Sequence, residues 1–249
     1  GFIGSHFIDL LVKRELGEVI CFDAFTYAAD ERNLAAVADR IEIVRGDVRR
    51  PEDLRPVFER GVDWVVNFAA ETHVDTSIDS PLLFVGTNVV GTLRLLMFAR
   101  HHGIERFLQV STDEVYGSRA EGEFEESDPH HPSSPYAAAK SGADQLCNAW
   151  RVTYGLPVTI ARSTNNYGPR QHREKFIPVC ISCALAGRPI PIFGSGLQQR
   201  DWIYVRDNAE ALLLVLQQGR PGEVFNVGAQ RHLTNIELAR RILALCGTA

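Results

Sequence analysis

Apolar residues form short continuous runs along the chain, and between these runs they recur with the spacing of amphipathic helices. The continuous runs predict strands at residues 19–23, 41–44, 63–69, 106–110 and 157–161. Helical spacing is clearest at residues 5–16, 85–102 and 136–154. Alternation of this kind is typical of βαβ units, in which helices cover both faces of a parallel sheet.

The pattern loosens after residue 165, where glycine and proline divide the chain into short pieces. We therefore predict an α/β fold with a doubly wound parallel sheet in residues 1–165 and a smaller irregular lobe, mainly for substrate binding, in residues 166–249. Some segments of the lobe are expected to return to the sheet. The chain begins inside a motif and ends just after a helical pattern, so we expect the first strand and the end of the lobe to be missing from this segment.

Composition excludes several classes of protein. The 249 residues are 45% hydrophobic and 23% charged, as in an ordinary globular protein, and the net charge of -5 does not favour nucleic-acid binding. No apolar run is expected to reach the roughly 18–20 residues of a membrane span, and no secretory signal is visible. Five scattered cysteines fit reduced thiols in the cytoplasm. Cys180 and Cys183 form a C-x-x-C inside an apolar stretch without a second pair, which favours helix packing; no metal is predicted.

A glycine-rich turn stands at Gly1-Phe-Ile-Gly4. Glycines let the backbone approach a pyrophosphate and the following helix N-terminus attracts it, although G-x-x-G alone also occurs in many tight turns. Asp23 ends the next predicted strand, 19 positions after Gly4. A carboxylate there accepts hydrogen bonds from a ribose and repels a 2′-phosphate, which favours NAD over NADP. A strand-end turn residue is the alternative.

Two further strand ends fit the same site. Asp47 follows the strand at 41–44 and either contacts adenine or belongs to a turn. The small residues Ala69 and Ala70 end the strand at 63–69, as expected where backbone passes close to a dinucleotide. We therefore predict a dinucleotide site along these strand ends.

Tyr136 and Lys140 are four residues apart, so both side chains leave the same face of a helix. An ammonium beside a phenol stabilises the phenolate, and Tyr136 then becomes a usable base near neutral pH. A solvated Tyr/Lys pair is the alternative.

Asp113 and Glu114 follow the strand at 106–110, at the edge where open α/β sheets place ligands. Adjacent carboxylates in a cleft do not titrate alike, so one can act as an acid and the other as a base. Thr112 can hydrogen-bond to a substrate and to Tyr136. Two solvated loop acids are the alternative.

Five motifs, at residues 1–5, 111–117, 136–140, 165–169 and 200–204, together resemble the extended short-chain dehydrogenase/reductase family, and within it the group of dTDP-glucose 4,6-dehydratases. The resemblance runs from Gly1 to about Leu245 and implies a Rossmann-type NAD-binding domain in residues 1–165. Thr-Asp-Glu is its most specific element, because epimerases and decarboxylases of this fold generally lack the acidic pair.

The resemblance also implies a mechanism. Tyr136 takes the proton from the 4-hydroxyl of the sugar while hydride passes from C4 to NAD⁺, and Lys140 lowers the pKa of Tyr136 and binds the nicotinamide ribose. Glu114 removes the C5 proton, and Asp113 protonates the departing 6-hydroxyl. Return of the hydride to C6 gives a 4-keto-6-deoxy sugar nucleotide.

Further binding residues are carried over from the resemblance. Those implied for the cofactor are Gly1, Phe2, Ile3, Gly4, Asp23, Ala24, Phe25, Thr26, Asp47, Val48, Phe68, Ala69, Ala70, Thr72, Thr87, Tyr136, Lys140 and Asn166. Those implied for the substrate are Thr72, Thr112, Asn165, Lys175, Phe176, Pro191, Ile192, Phe193, Arg200 and Asn226.

The residue types at some of these positions modify what the resemblance implies. Lys175 and Arg200 suit an acidic diphosphate in a chain of negative net charge, with plain surface charges as the alternative. The family often has lysine in place of Ala24 and tyrosine in place of Phe193, so a cofactor contact and a hydroxyl are absent here. His73 is expected to be structural or to lie behind the contact residues, with a catalytic base as the alternative.

A homodimer through a four-helix bundle of the helices at 85–102 and 136–154 is implied by the resemblance, and a monomer that uses these faces as core is the alternative. The expected partner is a nucleotide sugar, most simply a dTDP-hexose. Two rival functions are another sugar-nucleotide enzyme of this fold, such as a decarboxylase or 4-epimerase, and a non-catalytic NAD(H)-binding regulator. The nucleotide base, the hexose and the pathway are not specified by the sequence.

Overall fold

The computed structural model describes residues 1–119 and 121–247. Its strands are β1 (Ile20–Asp23), β2 (Glu42–Arg45), β3 (Trp64–Asn67), β4 (Arg106–Thr112), β5 (Val158–Ser163), β6 (Asn165–Tyr167), β7 (Gln199–Tyr204), β8 (Val224–Val227) and β9 (His232–Thr234). Its α-helices are α1 (Phe2–Lys13), α2 (Pro51–Phe58), α3 (Val74–Asp79), α4 (Pro81–Phe84), α5 (Thr92–His102), α6 (Pro135–Tyr154), α7 (Phe176–Leu185), α8 (Val205–Gln218) and α9 (Asn235–Leu245).

Parallel pairing dominates the first part of the chain. β1 pairs with β2, and a second sheet has the order β3-β4-β5-β8 with every pair parallel. The five predicted strands all form, and the α/β class with a parallel sheet is confirmed. β4 runs on to Thr112, whose register partner on β5 is Ser163. This extension places the motif at residues 111–117 directly at the carboxyl end of a central strand.

The later part of the chain contributes a third sheet, β6-β7-β9, in which β7 pairs with β9 in the antiparallel sense. β8 instead joins the main sheet beside β5, as expected for a segment that returns to the core. Cys180 on α7 is fully buried in an apolar cluster with Trp202 and Leu238, so the predicted helix packing at the C-x-x-C is confirmed. The domain boundary near residue 165 stays a prediction, and residues 248–249 of the predicted lobe lie outside the described residues.

One long helix runs from Pro81 to His102, with a π-helical segment at Val85–Gly91 between α4 and α5. It is 22 residues long and apolar enough to cross a membrane, so the expectation that no run reaches this length was wrong. The reason is that the helix begins at Pro81, ahead of the predicted start, and its polar residues are few enough for the average to stay apolar. Gly91 is required within it because a Cβ there would lie 2.6 Å from the Val48 side chain. The helix also packs against α2 and α6, with Leu96 and Ala99 fully buried, as in the core helix of a globular protein.

Candidate active site

A cavity of about 1130 Å³ lies at the carboxyl ends of β1, β3, β4 and β5 and at the N-terminus of α1. The fold brings together in its lining the predicted catalytic set (Thr112, Asp113, Glu114, Tyr136 and Lys140) and all of the predicted cofactor positions. Part of the cavity is an apolar slot between β1 and β3, lined by Phe22, Val65 and Val66. Residues of both parallel sheets therefore line the same cavity.

The glycine-rich turn forms the start of α1, and among the described residues no side chain caps this helix at Gly1. The first-turn N–H groups of an α-helix have no partner within the helix, so this end of α1 offers donors and a positive dipole to an anion in the cavity. Gly4 packs its backbone close to Phe68, where a Cβ would lie 3.7 Å from the ring. The donor set suits a pyrophosphate, and in this respect the site fits a dinucleotide.

Asp23 and Asp47 both have a turn role in this structure. The backbone N–H of Phe25 donates to Asp23 Oδ1 over 2.7 Å, and the Gly1 nitrogen lies 3.1 Å from Asp23 Oδ2. Arg49 binds the Asp47 carboxylate through its side chain and its backbone N–H, and this lowers the pKa of Asp47. The turn interpretation therefore holds for each residue, and contacts to ribose and adenine stay predictions.

Tyr136 and Lys140 lie on the first two turns of α6, whose N-cap Ser134 accepts a hydrogen bond from the Ala137 N–H. Both side chains are buried, Tyr136 with 8% exposure. Lys140 Nζ donates to the carbonyl of Val110 on β4 over 2.6 Å. The ammonium is thus held against β4, an inner strand of the main sheet.

The expected lowering of the Tyr136 pKa does not occur in the protein alone. Burial raises the pKa of Tyr136 well above its usual value, the negative charge of Glu114 adds to the rise, and a hydrogen bond with Thr112 opposes it. Burial also lowers the pKa of Lys140. A phenolate at Tyr136 therefore needs a positive charge beyond those of the chain, which an oxidised nicotinamide would supply.

Asp113 and Glu114 begin a single 3₁₀ turn that ends at Tyr116 and follows β4 directly. Thr112 Oγ1 donates to Asp113 Oδ1 over 3.2 Å and accepts from the Glu114 N–H over 3.3 Å. Burial raises the pKa of Asp113 to about 6, and the charge of Glu114 adds to this rise. Asp113 is therefore easier to protonate than an ordinary carboxyl group, although the carboxylate is still the major form near pH 7.

Burial also raises the pKa of Glu114, whereas the charges of Arg200 and Lys175 oppose the rise. These two cations come from the later part of the chain and lie near the acidic pair. The pair is thus a set of two unequal carboxyl groups with cations nearby, rather than two solvated loop acids. This arrangement suits one acid and one base acting on a single bound molecule.

The predicted substrate residues fall into two groups. Thr72, Thr112, Asn165 and Lys175 line the cavity, and Lys175 Nζ donates to the Thr72 carbonyl over 3.0 Å. The six that lie outside its lining are Phe176, Pro191, Ile192, Phe193, Arg200 and Asn226. Their substrate contacts stay predictions.

Three of the outer positions differ in their surroundings. Phe193 is 82% exposed, and Phe176 packs against Trp202. The Asn226 amide is held within the protein, because it accepts from the Tyr116 hydroxyl over 2.7 Å and donates to the Phe124 carbonyl over 3.0 Å. Asn226 thus has a structural role whatever else it contacts.

His73 has the expected structural role, because its Nδ1 accepts from the Thr76 N–H and caps α3. Sequence reasoning missed Glu71, a buried carboxyl group in the cavity lining whose pKa is raised by burial. Its backbone is fixed by two hydrogen bonds with the Asn88 side chain. The available signal was its position directly after Ala69 and Ala70, which follow β3.

The fold and the site define a dinucleotide-dependent α/β enzyme with two buried acidic residues and a Tyr/Lys pair in the lining of one cavity. The sequence profile described as the NAD dependent epimerase/dehydratase family matches residues 1–228. The chain belongs to this family.

Similar proteins with assigned names agree with this membership. A low-salt glycan biosynthesis protein, Agl12, from Haloferax volcanii is 47% identical over 99% of this chain and 80% of its own length. A dTDP-glucose 4,6-dehydratase from Streptomyces niveus is 45% identical over 99% of this chain and 75% of its own length. The crystal structure of DesIV, a dTDP-glucose 4,6-dehydratase from Streptomyces venezuelae with NAD and a second ligand bound, is 44% identical, with a TM-score of 0.97 over 100% of this chain and 79% of that one.

Proposed function

We propose that this protein is an NAD-dependent hydro-lyase that converts dTDP-glucose to dTDP-4-keto-6-deoxyglucose. The observation that carries the proposal is the Asp113–Glu114 pair, which lines the same cavity as Tyr136, Lys140 and the uncapped N-terminus of α1. The names of the Streptomyces relatives support the same activity, and the NAD in the DesIV structure supports the cofactor.

The residues divide the work in two. NAD would supply a hydride acceptor at the start and a hydride donor at the end, so no net oxidation occurs. Tyr136 would accept the proton of the 4-hydroxyl as C4 loses its hydride, once the positive charge of an oxidised nicotinamide offsets the burial that raises its pKa. Lys140 adds positive charge behind it.

Elimination of water falls to the two carboxyl groups. The new 4-keto group acidifies the C5 proton, and Glu114 takes that proton as the C5–C6 double bond forms. The C6–O bond breaks, and Asp113 gives its proton to the departing hydroxyl, so water leaves. A pKa of about 6 keeps a useful fraction of Asp113 protonated near neutral pH. The double bond then receives hydride at C6 and a proton at C5.

Both rival functions fit the acidic pair less well. A 4-epimerase or a decarboxylase uses the Tyr/Lys pair and NAD but has no step that needs two carboxyl groups of unequal pKa at this place. A non-catalytic NAD(H)-binding regulator would have no reason to keep the complete set. The arrangement of Thr112, Asp113 and Glu114 therefore favours the dehydratase.

A homodimer in the cytoplasm is the finer part of the proposal. Exposed apolar side chains lie on the long helix and on α6, including Leu82, Val85, Met97 and Val152. Exposed apolar side chains on these helices favour burial against a second copy, and paired helices from two copies would form a four-helix bundle. Sedimentation would show a dimer, and a charge placed at Leu82 would give a monomer.

The decisive experiment is incubation with NAD⁺ and dTDP-glucose, followed by a search for the ultraviolet chromophore that a 4-keto sugar nucleotide develops in alkali. Formation of the chromophore without net production of NADH is the expected result. UDP-glucose and GDP-mannose in parallel test the choice of base and hexose. If no hexose nucleotide gives the chromophore, the dehydratase proposal is wrong.

A further inference from the structure

We propose that Arg162 is a positioning residue that ties the helix carrying Tyr136 and Lys140 to the turn carrying Asp113 and Glu114. The inference rests on the proposed function, because it assigns the hydride-transfer groups to one element and the elimination groups to another. Both sets must act in turn on neighbouring carbons of a single sugar, so their separation has to be fixed.

The first link runs to helix α6. Arg162 on β5 is buried, and its Nε lies 3.0 Å from Asp144 Oδ2, with side-chain exposures of 6% and 1%. Asp144 follows Tyr136 and Lys140 at successive four-residue steps, so the three side chains share one face of α6. The charge of Asp144 also supports the protonated form of Lys140. Arg162 thus fixes the face of the helix that presents the hydride-transfer pair.

The second link runs to the acidic turn. Nη1 of the same guanidinium donates to the Tyr116 hydroxyl over 2.6 Å and to the Glu126 carbonyl over 3.2 Å. Tyr116 ends the turn that begins at Asp113, and its hydroxyl donates in turn to Asn226 Oδ1. The planar fork of arginine can hold two partners at a set angle, which lysine cannot do. One side chain therefore determines the positions of both elements.

Neither Arg162 nor Tyr116 lines the main cavity, so a direct contact with the sugar does not explain the network. A displacement of about 1 Å at a reacting group can cost on the order of a hundredfold in rate. Loss of the turn-side link alone should shift Asp113 and Glu114 while the Asp144–Arg162 link keeps Tyr136 in place. The two half-reactions should then respond unequally.

The test is Tyr116→Phe, which removes one hydroxyl and leaves the ion pair intact. Thr159→Val is the matched control, because it removes a buried hydroxyl from the same strand as Arg162 without touching the network. Nicotinamide reduction is measured from the absorbance of reduced nicotinamide after rapid mixing with dTDP-glucose. Elimination is measured from the exchange of the C5 proton in heavy water. We expect nearly unchanged nicotinamide reduction in Tyr116→Phe, with elimination slowed about tenfold or more and reduced nicotinamide accumulating.

The proposal would be overturned if Tyr116→Phe slowed both half-reactions equally. It would also be overturned if Thr159→Val slowed them as much as Tyr116→Phe does. Either result would mean that the network is structural only. An unchanged Tyr116→Phe enzyme would overturn the proposal too. Arg162→Lys is the second variant: it retains the charge opposite Asp144, and we expect the same unequal response. Failure of the proposed function is seen separately, because the unmodified protein would then give neither reduced nicotinamide nor C5 exchange.

Discussion

The cofactor side and the substrate side of the cavity are built differently. On the cofactor side, most of the predicted residues stand at or just after strand ends or on the first turns of α1 and α6, Thr87 lies in the π-helical segment, and every one of them lines the cavity. On the substrate side, six of ten predicted residues lie outside the lining, and several stand on the irregular segment between α7 and β7. Sheet register thus fixes one side, while the position of the other depends on loops.

The difference follows from how each side is held. Parallel strands place their carboxyl ends at one edge, and the β4–β5 register puts Thr112 beside Ser163 at that edge. The outer substrate residues have no comparable ladder, and Phe193 extends almost fully into solvent. Substitutions on the cofactor side should therefore act on the rate of a chemical step, and those on the substrate side on the strength of binding.

Tyr136→Phe tests the rigid side and should have the largest effect. The variant keeps the ring but loses the hydroxyl that accepts the proton of the sugar 4-hydroxyl. We expect kcat to fall by about 10²–10⁴, the usual contribution of a positioned acid–base group. Tyr154→Phe, at the exposed end of the same helix, is the control and should retain full activity. Activity within about threefold of the unmodified protein would remove Tyr136 from its role.

Much of the cofactor side could be predicted from the sequence. Particular residues show which features could not. Strand and helix periods, with glycine at the first turn, locate Gly4, Asp23 and Tyr136 without tertiary information. The direction of Lys140 Nζ, toward the Val110 carbonyl, could not be foreseen because it depends on the packing of α6 on β4. The amide of Asn226 is held by Tyr116, a residue 110 positions away, and no local pattern indicates such a bond.

Glu114 lies between the cofactor side and the substrate side of the cavity. Glu114→Gln should separate hydride transfer from elimination. The amide cannot take the C5 proton, so nicotinamide reduction should persist while turnover falls by about 10²–10³. Absorbance of reduced nicotinamide, measured together with chromophore formation, gives both quantities in one sample. Glu121→Gln, an exposed residue, is the control for charge loss. Full turnover in Glu114→Gln would assign proton abstraction to another group.

Asp113→Asn should change the pH dependence of stability. Because the pKa of Asp113 is raised to about 6, the folded protein binds this proton more tightly than the unfolded chain does. The stability that this group contributes is complete below about pH 4 and is lost as pH rises through about 6. Asparagine cannot ionise, so at about pH 7.5 the variant should gain on the order of 1–2 kcal/mol.

Urea unfolding of Asp113→Asn and the unmodified protein at about pH 4.5 and about pH 7.5 measures this difference. The stability gap should be wide at the higher pH and narrow at the lower one. A constant gap at both pH values would show that Asp113 does not titrate in this range. The same substitution should also slow elimination, since it removes the proton donor for the 6-hydroxyl.

Lys175→Met tests the substrate side. Its ammonium lines the cavity, donates to the Thr72 carbonyl and opposes the rise in the Glu114 pKa, so at a pH where Glu114 stays ionised its loss should mainly weaken diphosphate binding. We expect KM for dTDP-glucose to rise about tenfold, as for one charge-assisted hydrogen bond, with kcat changed less than about threefold. Arg188→Met, an exposed cation just after α7, is the matched control. A fall in kcat with constant KM would show that Lys175 acts in the chemical step rather than in substrate binding.

Phe193→Tyr should have the smallest effect and tests how loosely the substrate side is defined. The exposed ring of Phe193 offers a stacking face, and a tyrosine would add a hydroxyl to it. A hydrogen bond from an exposed side chain contributes little net free energy, so KM for dTDP-glucose should fall by only about two- to fivefold while kcat stays constant. Leu197→Tyr, which places a hydroxyl on another exposed apolar residue of the same segment, is the control and should leave KM unchanged. If Phe193→Tyr and Leu197→Tyr behave alike, the ring at 193 does not reach the nucleotide, and the segment between α7 and β7 acts in binding through other residues.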